Sequence, residues 1–145
     1  MPQGLPSLYL SIWIDRDPAV VYDFLHRPEN FPRWASGLAG GLQRLSAAGA
    51  EALAGEEALD WTAAGPEGDI RVRFSPRNDY GVVDHWVFLP DGRVIAVPLR
   101  VVANAGGSEV TFTLFRQPEM SDELFDRDAD WVRRDLVRLK EVMEG

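Results

Sequence analysis

The 145-residue sequence contains no cysteine. Disulfides, thiolate metal sites and a cysteine nucleophile are therefore excluded, and the absence fits a reducing compartment. Histidine is almost as scarce, with only His26 and His85. A non-haem iron site needs two histidines and a carboxylate that converge on one metal. Because His26 ends a predicted helix and His85 lies within a predicted strand, we expect no bound metal. The glycines form no phosphate loop or dinucleotide fingerprint, so we also expect no cofactor.

Basic side chains are in the minority, with 15 Lys and Arg against 23 Asp and Glu and a net charge of -8. Nucleic-acid binding and anionic membrane surfaces both require basic faces, so neither class of partner is expected. No apolar run reaches the ~18 residues of a membrane-spanning helix, and no signal peptide is visible. We therefore expect a soluble cytoplasmic protein, and the length indicates one domain over residues 1–145.

Helical periodicity is strongest in the last stretch, Ser121–Glu144. Its apolar residues recur in steps of four and three, which places them along one face of a helix. Ser121 is a good N-cap, and acidic residues follow it where the helix dipole favours negative charge. The sequence predicts a helix ~36 Å long. Its apolar stripe consists of Phe125, Ala129, Val132, Leu136, Leu139 and Met143.

Strand and helix signals alternate at the start of the chain. Leu8–Ile14 is apolar at most positions and predicts a strand. Asp17 and Pro18 form an N-cap and first helical residue, and a second short helix is indicated around Asn30–Trp34. The buried side of the first helix is predicted to contain Val20, Val21, Phe24 and Leu25.

The stretch Gly37–Gly55 has the weakest pattern in the chain. Within it, Leu42–Leu45 favours a strand and Ala48–Leu53 a helical turn. A surface connection without a special role is favoured over a mobile cover for a cavity mouth.

The second half of the chain is typical of an antiparallel sheet joined by hairpins. The predicted strands are Ala58–Ala63, Asp69–Ser75, Tyr80–Leu89, Val94–Ala103 and Ser108–Arg116.

Hairpin geometry predicts which side chains face inward. A two-residue turn at Asp91–Gly92 would pair Phe88 with Ile95, and a turn at 104–107 would pair Leu99 with Phe112. His85 and Arg100 then face outward, with Arg100 paired to Glu109, although a bulge at Pro98 would turn Arg100 inward. The predicted inner face consists of Val82, Asp84, Trp86, Phe88, Val97, Leu99, Val101, Val110, Phe112 and Leu114.

Asp84 is the one charged residue in this predicted inner face. A carboxylate among apolar side chains needs a partner or stays protonated. It could bind a ligand or act as a general acid/base. The favoured alternative is a structural carboxylate held by an arginine or backbone N–H groups, or a different register. The candidate ligand-binding residues are Trp34, Asp84, Trp86, Leu99, Phe112 and Val132.

Several strings resemble the polyketide cyclase/dehydrase-like branch of the START-like (SRPBCC) superfamily. The N-terminal resemblance rests on Asp17–Leu25, Pro28 and Phe31–Trp34. Further similar strings are Arg73–Ser75, Gly81–His85, Val97–Val101 and Phe112–Arg116. The resemblance implies an α+β helix-grip fold, in which a curved antiparallel sheet of about six strands surrounds a long C-terminal helix, with two short helices after strand 1. It also implies a hydrophobic cavity between the sheet and the helix.

Members of this superfamily bind lipids, sterols, polyketides or aromatic compounds, and some are cyclases, transporters or chaperone assistants. The resemblance thus predicts a single ligand-binding domain for a small hydrophobic or aromatic molecule. A cyclase-type enzyme that uses Asp84 as acid/base is the first alternative. A protein-interaction module with an acidic surface is the second.

Overall fold

The computed structural model describes residues 3–36, 41–44, 60–65 and 68–145. Its elements in chain order are β1 (Ser7–Ile14), α1 (Pro18–Leu25), a 3₁₀ helix (Pro28–Arg33), β2 (Gln43–Arg44), β3 (Asp60–Gly65), β4 (Gly68–Phe74), β5 (His85–Phe88), β6 (Val94–Val97), β7 (Leu99–Asn104), β8 (Gly107–Phe115) and α2 (Asp122–Glu144).

All the strand pairings are antiparallel, in the orders β1-β8-β7 and β2-β3-β4-β5-β6. The two groups are joined at Pro98, where β6 continues into β7. Hydrogen bonds from Val83 N to Leu99 O (2.7 Å) and from Thr113 N to Pro98 O (3.0 Å) carry the ladder across this point. The described part of the chain contains eight strands, or seven if β6 and β7 are counted as one bent strand. The α+β helix-grip fold is confirmed.

The long helix α2 begins as predicted, because the Ser121 hydroxyl accepts a hydrogen bond from Leu124 N at 3.1 Å. Its predicted stripe faces the sheet and packs against β1. At the C-terminal end, Lys140 Nζ donates to Trp13 O at 2.8 Å and Arg16 donates to Met143 O at 2.6 Å. The stripe residues Ala129, Leu136, Leu139 and Met143 are buried, and Phe125 and Val132 are half-buried.

Helix α1 has the predicted cap, in which Asp17 accepts a hydrogen bond from Ala19 N at 2.8 Å. Its buried side is displaced from the predicted one. Val20 is 40% exposed, whereas Tyr22 is buried and its hydroxyl accepts a hydrogen bond from Asn78 N. The prediction for Val20 is therefore wrong: it lies on the flank of α1 that faces solvent.

The second short helix is a 3₁₀ helix, and it starts at Pro28 instead of Asn30. Phe31 and the following Trp34 are buried. Strand β2 agrees with the predicted strand Leu42–Leu45 over two residues. The predicted helical turn Ala48–Leu53 lies outside the described residues.

The register of β7 against β8 is confirmed, with Leu99 opposite Phe112. The register of β5 against β6 is wrong by one residue, because Phe88 pairs with Val94. The connection is a three-residue loop, Pro90–Gly92, in which Gly92 N donates to Leu89 O and Leu89 N donates to Arg93 O. Gly92 adopts a φ of 92°, the left-handed residue that closes such a loop.

A one-residue shift moves every side chain of the strand to the other face. Asp84 and Trp86 therefore point outward, contrary to prediction, and Trp86 is 38% exposed. His85, predicted to face outward, is buried. Val82 and Phe88 move outward with Trp86, while Val83 and Val87 move inward with His85.

Arg100 faces outward as predicted, but its partner is Asp84 and not Glu109. Pro98 introduces no bulge, because the pairing of residues 81–88 with residues 94–101 keeps one register on both sides of it. Among the helices of the described residues, none has the length and apolar character that crossing a membrane would require.

Candidate ligand-binding cleft

The space between the sheet and α2 is filled at one end. Ile14, Leu99 and Val110 on the inner face of the sheet are fully buried, as are Leu136 and Leu139 on the helix. Ile14 and Leu139 lie at the end nearest the C-terminus of α2, which we call the closed end, where Asp15 N donates to Glu144 and Arg16 donates to Met143 O. The closed end therefore supplies most of the hydrophobic stabilisation, since burial of apolar area is the main driving force of folding.

The end at the start of α2, which we call the open end, is less completely covered, because Phe125 is half-buried there and Leu124 is 40% exposed. Inner-face side chains there remain partly accessible although they point toward α2. Phe112 on the sheet and Val132 on the helix are also half-buried, and both pack against the core. Other half-buried residues of the inner face are Leu8, Ile12, Ile70, Val87, Ile95, Val97 and Leu114.

This open end leads to a cleft of ≈ 530 Å³ at the start of α2. Ile70 and Ile95 form its wall on the sheet side, and Leu124 forms its wall on the helix side. The connection from β8 to α2 contributes residues 117–120. Arg93, Glu119, Arg127 and Asp128 also line the cleft, so it combines apolar walls with charged side chains.

Four aromatic side chains form a cluster further along the inner face. The Phe31 ring lies 5.2 Å from Trp34, 5.2 Å from Phe74 and 5.6 Å from His85, measured between centroids. The ring of His85 is 5.3 Å from that of Phe74. The 3₁₀ helix thus places Phe31 and Trp34 over the inner face of β4 and β5. We call these four residues the aromatic cluster.

His85 is the titratable member of the aromatic cluster. Burial lowers its pKa from 6.5 to about 4, and the hydrogen bond with the backbone of Val83 and the nearby Asp84 charge only partly oppose that shift. Because the carbonyl of Val83 can only accept, Nδ1 at 3.1 Å carries the proton. The ring is therefore neutral at pH 7, with the lone pair on Nε2.

Trp34 contributes an unusual donor. Its side chain is 3% exposed, yet the indole Nε1 has no hydrogen-bond partner among the residues that the structure describes. Buried donors are nearly always paired, so this one is an exception that asks for an explanation.

The segment that carries Trp34 is held against the middle of α2. Arg138 Nε donates to Arg33 O at 2.8 Å, and the Ser36 hydroxyl donates to Asp135 at 2.7 Å while it accepts from Trp131 Nε1. Burial raises the pKa of Asp135, and its hydrogen bonds with Ser36 oppose that shift. Both attachments limit how far the indole of Trp34 can move.

The structure divides the six predicted site residues into two groups. Trp34, Leu99, Phe112 and Val132 lie in the interior between the sheet and the helices. Asp84 and Trp86 lie on the outer face of the sheet. The lining of the cleft at the start of α2, within the described residues, includes none of the six.

The carboxylate of Asp84 is held on the outer face by its neighbours. Leu99 N donates to Oδ1 at 2.9 Å, and Arg100 donates to Oδ2 at 2.9 Å. The same contact raises the pKa of Arg100, chiefly through its hydrogen bond with Asp84. This is the arrangement of a structural carboxylate.

Sequence reasoning missed His85, Phe31 and Phe74 as members of the interior cluster. The inward orientation of His85 could have been predicted from the Pro-Asp-Gly string. That string is compatible with a three-residue loop as well as a two-residue one, and the three-residue loop turns His85 inward. Among the described residues, no group of three His, Asp or Glu side chains could hold a metal ion.

Comparison with solved structures gives the same architecture. XoxI from Bacillus cereus is 15% identical, has a TM-score of 0.70 and matches over 97% of each chain. Ara h 8.0201 is 9% identical with a TM-score of 0.64, over 97% of this chain and 99% of that one. DynU16, a protein of the dynemicin biosynthetic locus, is 11% identical with a TM-score of 0.64, over 99% of this chain and 48% of that one.

What they share is the fold. At these sequence identities, the comparison supports the shared fold and carries no conclusion about function. The sequence itself matches no protein-family model and no curated protein. Any function must therefore be argued from this chain's own cleft and aromatic cluster.

Proposed function

We propose that the protein binds a small apolar or aromatic ligand between the sheet and α2. The observation that carries this proposal is a cleft of ≈ 530 Å³ at the start of α2. Ile70 and Ile95 stay partly accessible on the inner face of the sheet and line this cleft. Small-molecule sites are concave and mostly apolar with a few polar groups, and this end of the molecule has that character.

The dimensions of the inner face suit an elongated ligand. Ile70 at the cleft and Phe74 in the aromatic cluster lie on the same face of β4, four residues apart. At the rise of a β-strand this separation is ~13 Å. A ligand that entered beside Ile70 would reach the aromatic cluster by displacing the packing at Val72, which is buried between them on the same face.

Catalysis by Asp84 has no support from its surroundings. Both carboxylate oxygens are engaged by Leu99 and Arg100 on the face of the sheet that points away from α2. An acid/base group must reach the atom whose proton it transfers, and a ligand in the interior is on the other side of the sheet.

The proposal is tested with two lysine substitutions on adjacent residues of β6. Ile95 faces the cleft, and Val94 faces outward and is 49% exposed. N-Phenyl-1-naphthylamine, an uncharged aromatic probe, is titrated and its fluorescence measured. We expect Ile95→Lys to weaken probe binding at least about tenfold, because an ammonium group beside an apolar ligand must lose hydration. Val94→Lys should bind as the wild type does.

Circular dichroism of both variants confirms that they fold. If the wild-type protein fails to bind the probe, or if the two lysine variants bind it equally well, the proposed site is wrong.

A further inference from the structure

The unpaired indole N–H of Trp34 points to a ligand contact. A buried donor without an acceptor has lost its hydrogen bond to water and gained nothing in return. Trp34 Nε1 is a buried donor without an acceptor among the described residues, and its side chain is 3% exposed. A bound molecule with an acceptor next to Nε1 would pair this donor. Binding would then remove a free-energy penalty that the protein carries without the ligand.

The position of Trp34 suits this role. Its indole ring packs on Phe31, and the hydrogen bonds of Arg33 and Ser36 to α2 hold the chain on either side of it. A donor held in this way loses little conformational entropy when it forms a hydrogen bond, which favours binding. Phe112 and Val132 provide apolar surface in the same interior.

We propose that Trp34 Nε1 donates a hydrogen bond to an uncharged oxygen, a carbonyl, ether or hydroxyl, at the buried end of the ligand. The inference rests on the proposed function and adds the chemistry of the ligand to it. The apolar body of the ligand extends from Trp34 toward the cleft at Ile70 and Ile95.

We propose an uncharged oxygen because, within the described part of the chain, the aromatic cluster around Trp34 contains no cation and the nearby Arg138 donates to the Arg33 carbonyl. Phe31 and Phe74 carry no charge, and His85 is neutral at pH 7 because burial lowers its pKa to about 4. A carboxylate placed in this cluster would be a buried charge without a partner, which is strongly unfavourable. Ligands with a carboxylate at the buried end are therefore excluded by this geometry.

The test uses two probes of similar shape, 2-methoxynaphthalene with an ether oxygen and 2-ethylnaphthalene without one. Binding is measured by fluorescence titration of the wild type, Trp34→Phe and Trp86→Phe. Trp86→Phe is the matched control, since it removes the same N–H on the outer face. We expect the wild type and Trp86→Phe to bind the ether about tenfold more tightly than the hydrocarbon. Trp34→Phe should bind the two probes equally.

A second measurement needs no substitution. In the ¹⁵N-tryptophan spectrum of the wild type, the indole signal with NOEs to the Phe31 ring should shift downfield with the ether and not with the hydrocarbon. This readout keeps the test decisive if Trp34→Phe fails to fold.

The outcomes separate the two proposals. If the wild type binds both probes with equal affinity, or Trp34→Phe keeps the preference for the ether, the Trp34 contact is wrong and the ligand site stands. If neither probe binds the wild type, the ligand site is wrong and the Trp34 contact falls with it.

Discussion

Asp84 and His85 are neighbours in the chain with opposite surroundings. Asp84 lies on the outer face of the sheet, where its carboxylate pairs with Arg100 and accepts a hydrogen bond from the Leu99 amide. His85 lies inside, among Phe31 and Phe74, where burial disfavours a proton on its ring more than the nearby Asp84 charge favours it. The alternation of a β-strand is the whole reason for the difference.

The buried His85 should make stability depend on pH. Its pKa is 6.5 in the unfolded chain and about 4 in the folded protein, so below pH 6.5 the unfolded state takes up the proton first. The free energy of unfolding should therefore fall as the pH is lowered from 6.5 toward 4, by up to about 3 kcal/mol from this residue. Urea unfolding of the wild type and of His85→Phe measures the effect.

The contribution of His85 is the difference between the wild type and His85→Phe in how the free energy of unfolding depends on pH. The pKa of Asp60 is lowered chiefly by its hydrogen bond with Arg73, and the pKa of Asp135 is raised by burial. Both carboxylates titrate in both proteins, so their contributions to the pH dependence cancel in the difference. A wild type and a His85→Phe variant with the same dependence on pH would show that His85 is not held neutral.

At the scale of elements, sequence patterns predicted the helices and most strands correctly. The Ser121 cap and the four-and-three spacing were sufficient to predict α2, because both signals are local in the sequence. The β7–β8 register was also predictable. The β5–β6 register was not, since Asp91–Gly92 is compatible with two loop lengths and only the wider structure selects one.

That single loop determined how much of the candidate site could be predicted. Leu99, Phe112, Val132 and Trp34 were placed correctly in the interior, because their positions do not depend on the β5–β6 hairpin. The partners of Trp34 in the aromatic cluster could not be predicted, because contacts between the 3₁₀ helix and the sheet are long-range.

The three-residue loop makes a prediction about two glycines in hairpin turns. Gly92 has a φ of 92° with open space around it, so alanine there meets only backbone strain. We expect Gly92→Ala to lower the free energy of unfolding by about 1 kcal/mol. Gly106 is also in open space but outside the left-handed region, so Gly106→Ala should be neutral or slightly stabilising.

Urea unfolding of the two variants gives both values. Equal effects of the two substitutions would mean that Gly92 is not required to be left-handed, and the β5 register would then need to be measured directly.

At the scale of the whole molecule, the interior changes character along α2. Ala129, Leu136, Leu139 and Met143 are buried, whereas Phe125 at the start of the helix is half-buried, as is Val132 between two buried positions. A protein that leaves one end of its core open gives up hydrophobic stabilisation there. The closed end then maintains the fold, and the open end remains available to a ligand.

This division predicts an uneven pattern of amide hydrogen exchange. Segments with few buried apolar contacts open at lower free energy than the core does. We expect the slowest exchange in β7, in the first half of β8 and in residues 136–143, and faster exchange in residues 122–128 and 112–115. Because a ligand stabilises only the conformation that binds it, an aromatic probe should slow exchange at the open end and leave the closed end unchanged. Mass spectrometry with and without 2-methoxynaphthalene measures both effects, and protection that was uniform along α2 would contradict the division of the interior into a closed and an open end.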